Sequence, residues 1–105
     1  MGLFYFVTMY CVYVIHSEKL KRFYTGTTDN FERRLQEHNN KTYSDSFTVR
    51  GIPWQKFLVI EGLTSSQARA IERNIKSMKS SSYIKNLKSY PEMIDKLKEK
   101  YSSEK

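Results

Sequence analysis

From Leu3 to Ile15 the chain reads LFYFVTMYCVYVI, thirteen residues without a charge. A helix needs about 20 apolar residues to cross a bilayer, so this run is too short to be a membrane span. No basic residue precedes it and no small-residue cleavage site follows it, which separates it from a secretory leader. Val, Ile, Tyr and Phe dominate it, and these side chains fit a pleated, packed surface. The run therefore predicts a core strand, strongest over Tyr10–Ile15. Met9 stands just ahead of that stretch, and residues 1–9 are assigned to an N-terminal extension or the start of the strand.

A polar, turn-like stretch, Ser17 to Lys21, separates this run from a second β-prone one, Arg22-Phe23-Tyr24-Thr25-Gly26, and the two predict a hairpin. Asp29 and Glu32 have the spacing of a capping box. Phe31, Leu35 and His38 then mark one face of a helix ending near Asn39-Asn40. Lys41 to Gly51 is polar and without period, and reads as a long loop. Phe57-Leu58-Val59-Ile60 predicts a third strand, with Pro53 tolerated before its ladder. Thr64 and Gln67 repeat the capping-box spacing, and Ala68, Ile71, Ile75 and Met78 follow at helical intervals. Ser80-Ser81-Ser82 interrupts that helix. Tyr83, Ile84 and Leu87 suggest a further short one, stopped before Pro91, and Glu92 to Tyr101 a last amphipathic one.

With 105 residues there is room for one domain. The order β-β-α-β-α-α predicts an α+β fold, a small three-stranded, largely antiparallel sheet flanked by helices. The domain is placed at 10–91, with residues 92–105 as a C-terminal amphipathic helix and frayed tail. A single cysteine, Cys11, excludes an internal disulfide and a multi-cysteine zinc site, and points to a reduced, cytoplasmic setting. It reads as a buried small hydrophobe rather than a nucleophile.

Eighteen Lys and Arg against eleven Asp and Glu leave a net charge of +7, which favours a polyanionic partner, nucleic acid before membrane. Residues 69–88 hold six cations (Arg69, Arg73, Lys76, Lys79, Lys85, Lys88) and one acid, Glu72. That acid borders the apolar stripe beside Ile71. Two explanations stand: an ordinary i,i+4 pair with Lys76, or a carboxylate holding a divalent cation next to phosphates.

Cys11-Val12-Tyr13 and Tyr24-Thr25-Gly26 place two tyrosines eleven residues apart, on paired strands. Next come Glu32-Arg33-Arg34-Leu35-Gln36-Glu37-His38 on a helix, a strand, and Ala68 to Glu72 on a longer helix. In this order, over roughly residues 10 to 101, the sequence resembles the GIY-YIG nuclease superfamily, which includes homing endonucleases and the nuclease subunit of bacterial excision repair. It reads nearest to small stand-alone bacterial members. The triplets here are CVY and YTG, with both tyrosines and the glycine kept.

The resemblance implies a metal-dependent endonuclease that hydrolyses DNA phosphodiesters by a one-metal mechanism, in DNA repair or recombination, with RNA not excluded as substrate. It implies catalytic roles for Tyr13, Tyr24, Arg34, His38 and Glu72, with a single Mg²⁺ or Mn²⁺ on Glu72. Asn86 falls near a late family asparagine. Arg33, Arg73, Lys76, Lys79 and Lys85 are assigned with it to nucleic-acid contact. Gly26, lacking a Cβ, is expected to let the backbone turn off the strand and another group approach.

The chemistry is coherent. Arg34 can grip phosphate oxygens through its planar fork. A phenol with an ordinary pKa of about 10 is a poor base unless cations lower it, whereas His38, ordinarily near about 6.5, can take a proton directly or through a tyrosine hydroxyl. Tyr13 is taken as the primary base, with Tyr24 orienting water or phosphate. Each residue also has a plain alternative: half-buried strand tyrosines, a helix-face arginine, a histidine at a helix C-terminus. The competing functions are a basic binding module that does not cut, and a structural or partner-binding role for the C-terminal amphipathic helix; the chain is expected to be a monomer or a weak homodimer.

Overall fold

The computed structural model describes residues 9–40 and 46–102, Ser46 by its backbone alone. Three strands, β1 (Tyr10–Ser17), β2 (Arg22–Thr28) and β3 (Trp54–Leu63), form one antiparallel sheet in the order β2-β1-β3. The central place of β1 explains its unbroken apolar run, since a strand covered on both faces has no need to alternate. Its side chains go alternately to two cores. Val12 and Val14 face one, with Ile60, Leu63, Ala68, Ile71, Ile75, Ile84, Leu87 and Leu97. Cys11, Tyr13 and Ile15 face the other, with Phe31 and Trp54.

Helix α1 (Phe31–Asn39) lies over the second core, and α3 (Ser65–Met78), α4 (Ser81–Ser89) and α5 (Pro91–Lys100) cover the first. Thr64 caps α3 with Gln67 in the predicted capping box. Ser80 ends the break between α3 and α4 by accepting from the Tyr83 N–H. The α1 cap differs from expectation. Asn30, not Asp29, accepts from the Arg33 N–H, and Asp29 instead binds the Arg33 guanidinium at 2.9 Å.

Three further expectations are revised. The predicted loop from Lys41 to Gly51 contains a short helix, α2 (Ser46–Arg50); Lys41 to Asp45 lie outside the described residues, as does the expected frayed end beyond residue 102. Strand β2 runs two residues past Gly26, so this glycine does not turn the chain. Strand β3 is longer than its apolar centre because its pairing with β1 extends from Trp54 to Leu63. No helix among the described residues is long and apolar enough to cross a membrane.

Candidate active site

The hairpin register sets the two tyrosines on one face. Tyr13 pairs with Gly26 and Ile15 with Tyr24, so the phenols are diagonal neighbours with ring centroids 6.4 Å apart. Tyr13 is 1% exposed, and its ring lies across Gly26. A Cβ built on Gly26 would stand 2.6 Å from the Tyr13 hydroxyl oxygen and 2.7 Å from Cζ. Close approach by a neighbouring group is thus what this glycine provides, and the group is the phenol itself.

Helix α1 supplies the third member. His38 is buried in the last turn, and its Nε2 is 3.0 Å from the Tyr13 hydroxyl. Its ring also stands edge-on to Tyr24, centroids 5.1 Å apart. In one tautomer the phenol donates to Nε2; in the other Nε2–H donates to the phenol oxygen. Arg34 is one turn earlier on the same helix face, its Nε 3.1 Å from a Glu37 oxygen. Arg33 is tied at the surface to Asp29 and to Glu37, the latter at 3.6 Å.

The structure thus brings together Tyr13, Tyr24, Gly26 and His38, with Arg34 beside them on α1. Glu72 belongs to the other layer. The apolar face of α3 packs on the Val12/Val14 side of the sheet, and the Glu72 carboxylate, 19% exposed, meets Lys76 Nζ at 2.8 Å. The helix rests over β1 and β2, and β2 is an edge strand. Arg73, Lys76, Lys79, Lys85 and Asn86 lie at exposed positions of α3, α4 and the turn between them.

Three supporting residues have weak sequence signals. Phe47 of α2 stacks on Tyr24 at 6.3 Å, and Trp54 meets the same ring edge-on at 6.1 Å. Asn39 bonds the Trp54 backbone twice, Nδ2 to the carbonyl at 3.0 Å and Oδ1 from the N–H at 2.6 Å, fixing the end of α1 to β3. Its place at a helix end suggested only a terminator. Cys11 is buried as expected, and burial, followed by Glu61, Glu32 and Asp29, pushes its thiol pKa up. A thiol so placed is a poor nucleophile.

Residues 9–88 match the family model described as the GIY-YIG catalytic domain, and the chain belongs to that family. Among curated relatives, it is similar to a structure-specific endonuclease subunit SLX1 of Vanderwaltozyma polyspora, 38% identical over 66 residues, 58% of this chain and 21% of that protein. The same-named subunit of Aspergillus terreus is 36% identical over 63 residues, 56% of this chain and 16% of that protein. That of Pyrenophora tritici-repentis is 36% identical over 59 residues, 53% and 16% respectively. The chain therefore spans about a fifth or less of the length of these fungal relatives.

Proposed function

We propose that this chain is a DNA endonuclease that hydrolyses phosphodiester bonds at the Tyr13–Tyr24–His38 cluster. The observation that carries the reading is the buried hydrogen bond between Tyr13 and His38, set beside Tyr24 in a member of the GIY-YIG family. It meets the difficulty of a phenol acting as base. If the Tyr13 hydroxyl takes a proton from the attacking water while passing its own to His38 Nε2, no free phenolate forms in a buried site. The imidazole is the better acceptor near neutral pH. Tyr24, only partly buried, orients the water or a phosphate oxygen. The Arg34 guanidinium neutralises the phosphoryl oxygens, the incoming phosphate competing with Glu37 for it.

The donor chemistry at Glu72 fits a hard divalent ion. It is a sheltered carboxylate, and its hard oxygen atoms are the donors such an ion takes. One carboxylate with water and phosphate completing the shell suits Mg²⁺ or Mn²⁺. When bound, such an ion supplies charge relief at the phosphoryl and leaving oxygens. The reading requires Glu72 to act across the β2 edge, with Lys76 giving up its present contact. The edge position of β2 and the placement of α3 over β1 and β2 support it.

The similar proteins are structure-specific endonuclease subunits, which favours a DNA substrate recognised by its structure and a partner protein for this chain; a role in repair or recombination is what the family resemblance implies. Arg33, Arg73, Lys76, Lys79, Lys85 and Asn86 would contact backbone. The test is nicking of supercoiled and branched DNA with Mg²⁺ or Mn²⁺ by wild type, Glu72→Ala and Arg34→Ala. Each substitution is expected to lower cleavage by about 10²-fold or more, as loss of one charge-stabilising group does. Equal nicking by all three overturns the proposal. A second reading, a binding module that does not cut, is favoured by the Glu72–Lys76 pair as an ordinary helix contact. It expects salt-sensitive binding that Glu72→Ala leaves intact, with no turnover by wild type.

A further inference from the structure

Charge is divided along the strand direction. At the start of β1 and the end of β2, a cleft of about 320 Å³ is lined by Asp29, Glu32 and Glu61. At the opposite end, two clefts share Phe23. One, of about 520 Å³, lies between the β1–β2 turn and the start of α4, and Lys21, Arg22 and Lys79 line it. The other, of about 390 Å³, is bordered by Lys56 and Lys85. Helix α4 joins them, giving Ile84 to the first and the next residue, Lys85, to the second.

All five cations are exposed, and among the described residues none forms an ion pair. By contrast Arg33, Arg34 and Lys76 all hold carboxylates. One acid, Glu18, borders these clefts, and it meets His16 at 3.5 Å. The floor is aromatic: Phe23 contacts the rings of His16 at 4.8 Å and Phe57 at 4.9 Å. Phe23 is only partly buried.

We infer that this double cleft binds a single nucleic-acid strand, with its phosphates against Lys21, Arg22, Lys79, Lys56 and Lys85 and a base against Phe23. Unpaired cations around an aromatic floor match the two chemistries of an unpaired strand, whose backbone is anionic and whose bases stack on any π-face. The placement also gives it a purpose. Phe23 and Tyr24 are consecutive on the edge strand β2, and alternation sends them to opposite faces. A strand leaving the tyrosine site over this edge would meet the basic clefts on the Phe23 face. The inference rests on the endonuclease reading, and extends it by naming where the strand beyond the cut is held.

The test measures binding apart from cleavage. Fluorescence anisotropy of a labelled single-stranded oligonucleotide is recorded in EDTA over a series of NaCl concentrations. The variant Lys21→Gln/Arg22→Gln/Lys79→Gln is compared with wild type and with a charge-matched control, Lys96→Gln/Lys98→Gln/Lys100→Gln on α5. Loss of three phosphate contacts should lower the slope of log affinity against log salt by about two, with binding weakened about tenfold or more at moderate salt. The control should retain most of the wild-type slope. Phe23→Leu keeps an apolar side chain while removing the ring, and should weaken binding about tenfold with the slope unchanged.

An unchanged slope in the cleft variant, or an equal fall in the control, overturns the inference. Nicking with Mg²⁺ is scored separately. A fallen slope in a protein that never nicks would reject the endonuclease reading and leave the strand site standing. Normal nicking with an unchanged slope would reject the strand site alone.

Discussion

Tyr13 has three constraints on one ring: the hydroxyl meets His38, the ring face crosses Gly26, and Phe31 packs beside it with centroids 5.7 Å apart. Of these Gly26 is the simplest to test, because alanine adds one carbon and no charge. The added Cβ would fall well inside contact distance of a buried, rigid ring rather than the end of a flexible side chain. Gly26→Ala should therefore cost about 1–3 kcal/mol in urea denaturation, as overpacking does. Because it displaces the phenol, it should also lower the rate of DNA cleavage by about tenfold or more while leaving oligonucleotide affinity unchanged. Cleavage and stability equal to wild type would show that the phenol's position at Gly26 is not needed.

The elements were readable where their signals are local. The Thr64–Gln67 box and the Ser80 cap rest on residues three apart, so the sequence carries them whole. At α1 the Asp29–Glu32 spacing pointed one residue too early: Asn30 caps the helix, and the Asp29 carboxylate is engaged by the Arg33 guanidinium. Helix α2 was invisible for a different reason. Five residues cannot hold a helix by themselves. What holds it lies outside the helix: Trp54 Nε1 donates to the Thr48 carbonyl at 2.7 Å, and Phe47 packs on Tyr24. The site divides the same way. The spacing of Tyr13 and Tyr24 and the helix face of His38 could be read, but the layer that receives Glu72 depends on which face of β1 meets α3. Asn39 joins two elements in a manner no periodicity reveals. Removing its amide leaves the N–H and carbonyl of the buried Trp54 backbone without these partners. Asn39→Ala should cost about 1–3 kcal/mol in urea denaturation, against under about 0.5 kcal/mol for the exposed neighbour Asn40→Ala. Equal losses would show that the Asn39 bonds add nothing.

Across the whole molecule, β1 joins two cores, and each contains a group that resists ionisation. Cys11 belongs to the core beneath α1, and burial, reinforced by Glu61, Glu32 and Asp29, raises its pKa. Tyr83 packs against the core beneath α3 to α5, donating to Asn74 Oδ1 at 3.0 Å, and burial and then Tyr101 raise its pKa. Both are neutral when protonated, so the folded chain binds these protons more tightly than the unfolded chain does. Their contribution to stability is complete below the ordinary thiol and phenol ranges and is lost as pH rises through the elevated folded values. Unfolding free energy should therefore fall in two stages, first past the usual thiol range and again past the usual phenol range. Urea denaturation at pH steps from 7 upward would follow this. Cys11→Ala should remove the first stage and leave the second, whereas Tyr83→Phe should do the reverse. Because the two groups lie on opposite sides of one central strand, both stages should appear as a weaker single transition rather than as separate melting of the two layers. A first stage that persists in Cys11→Ala would assign the alkaline loss to other groups.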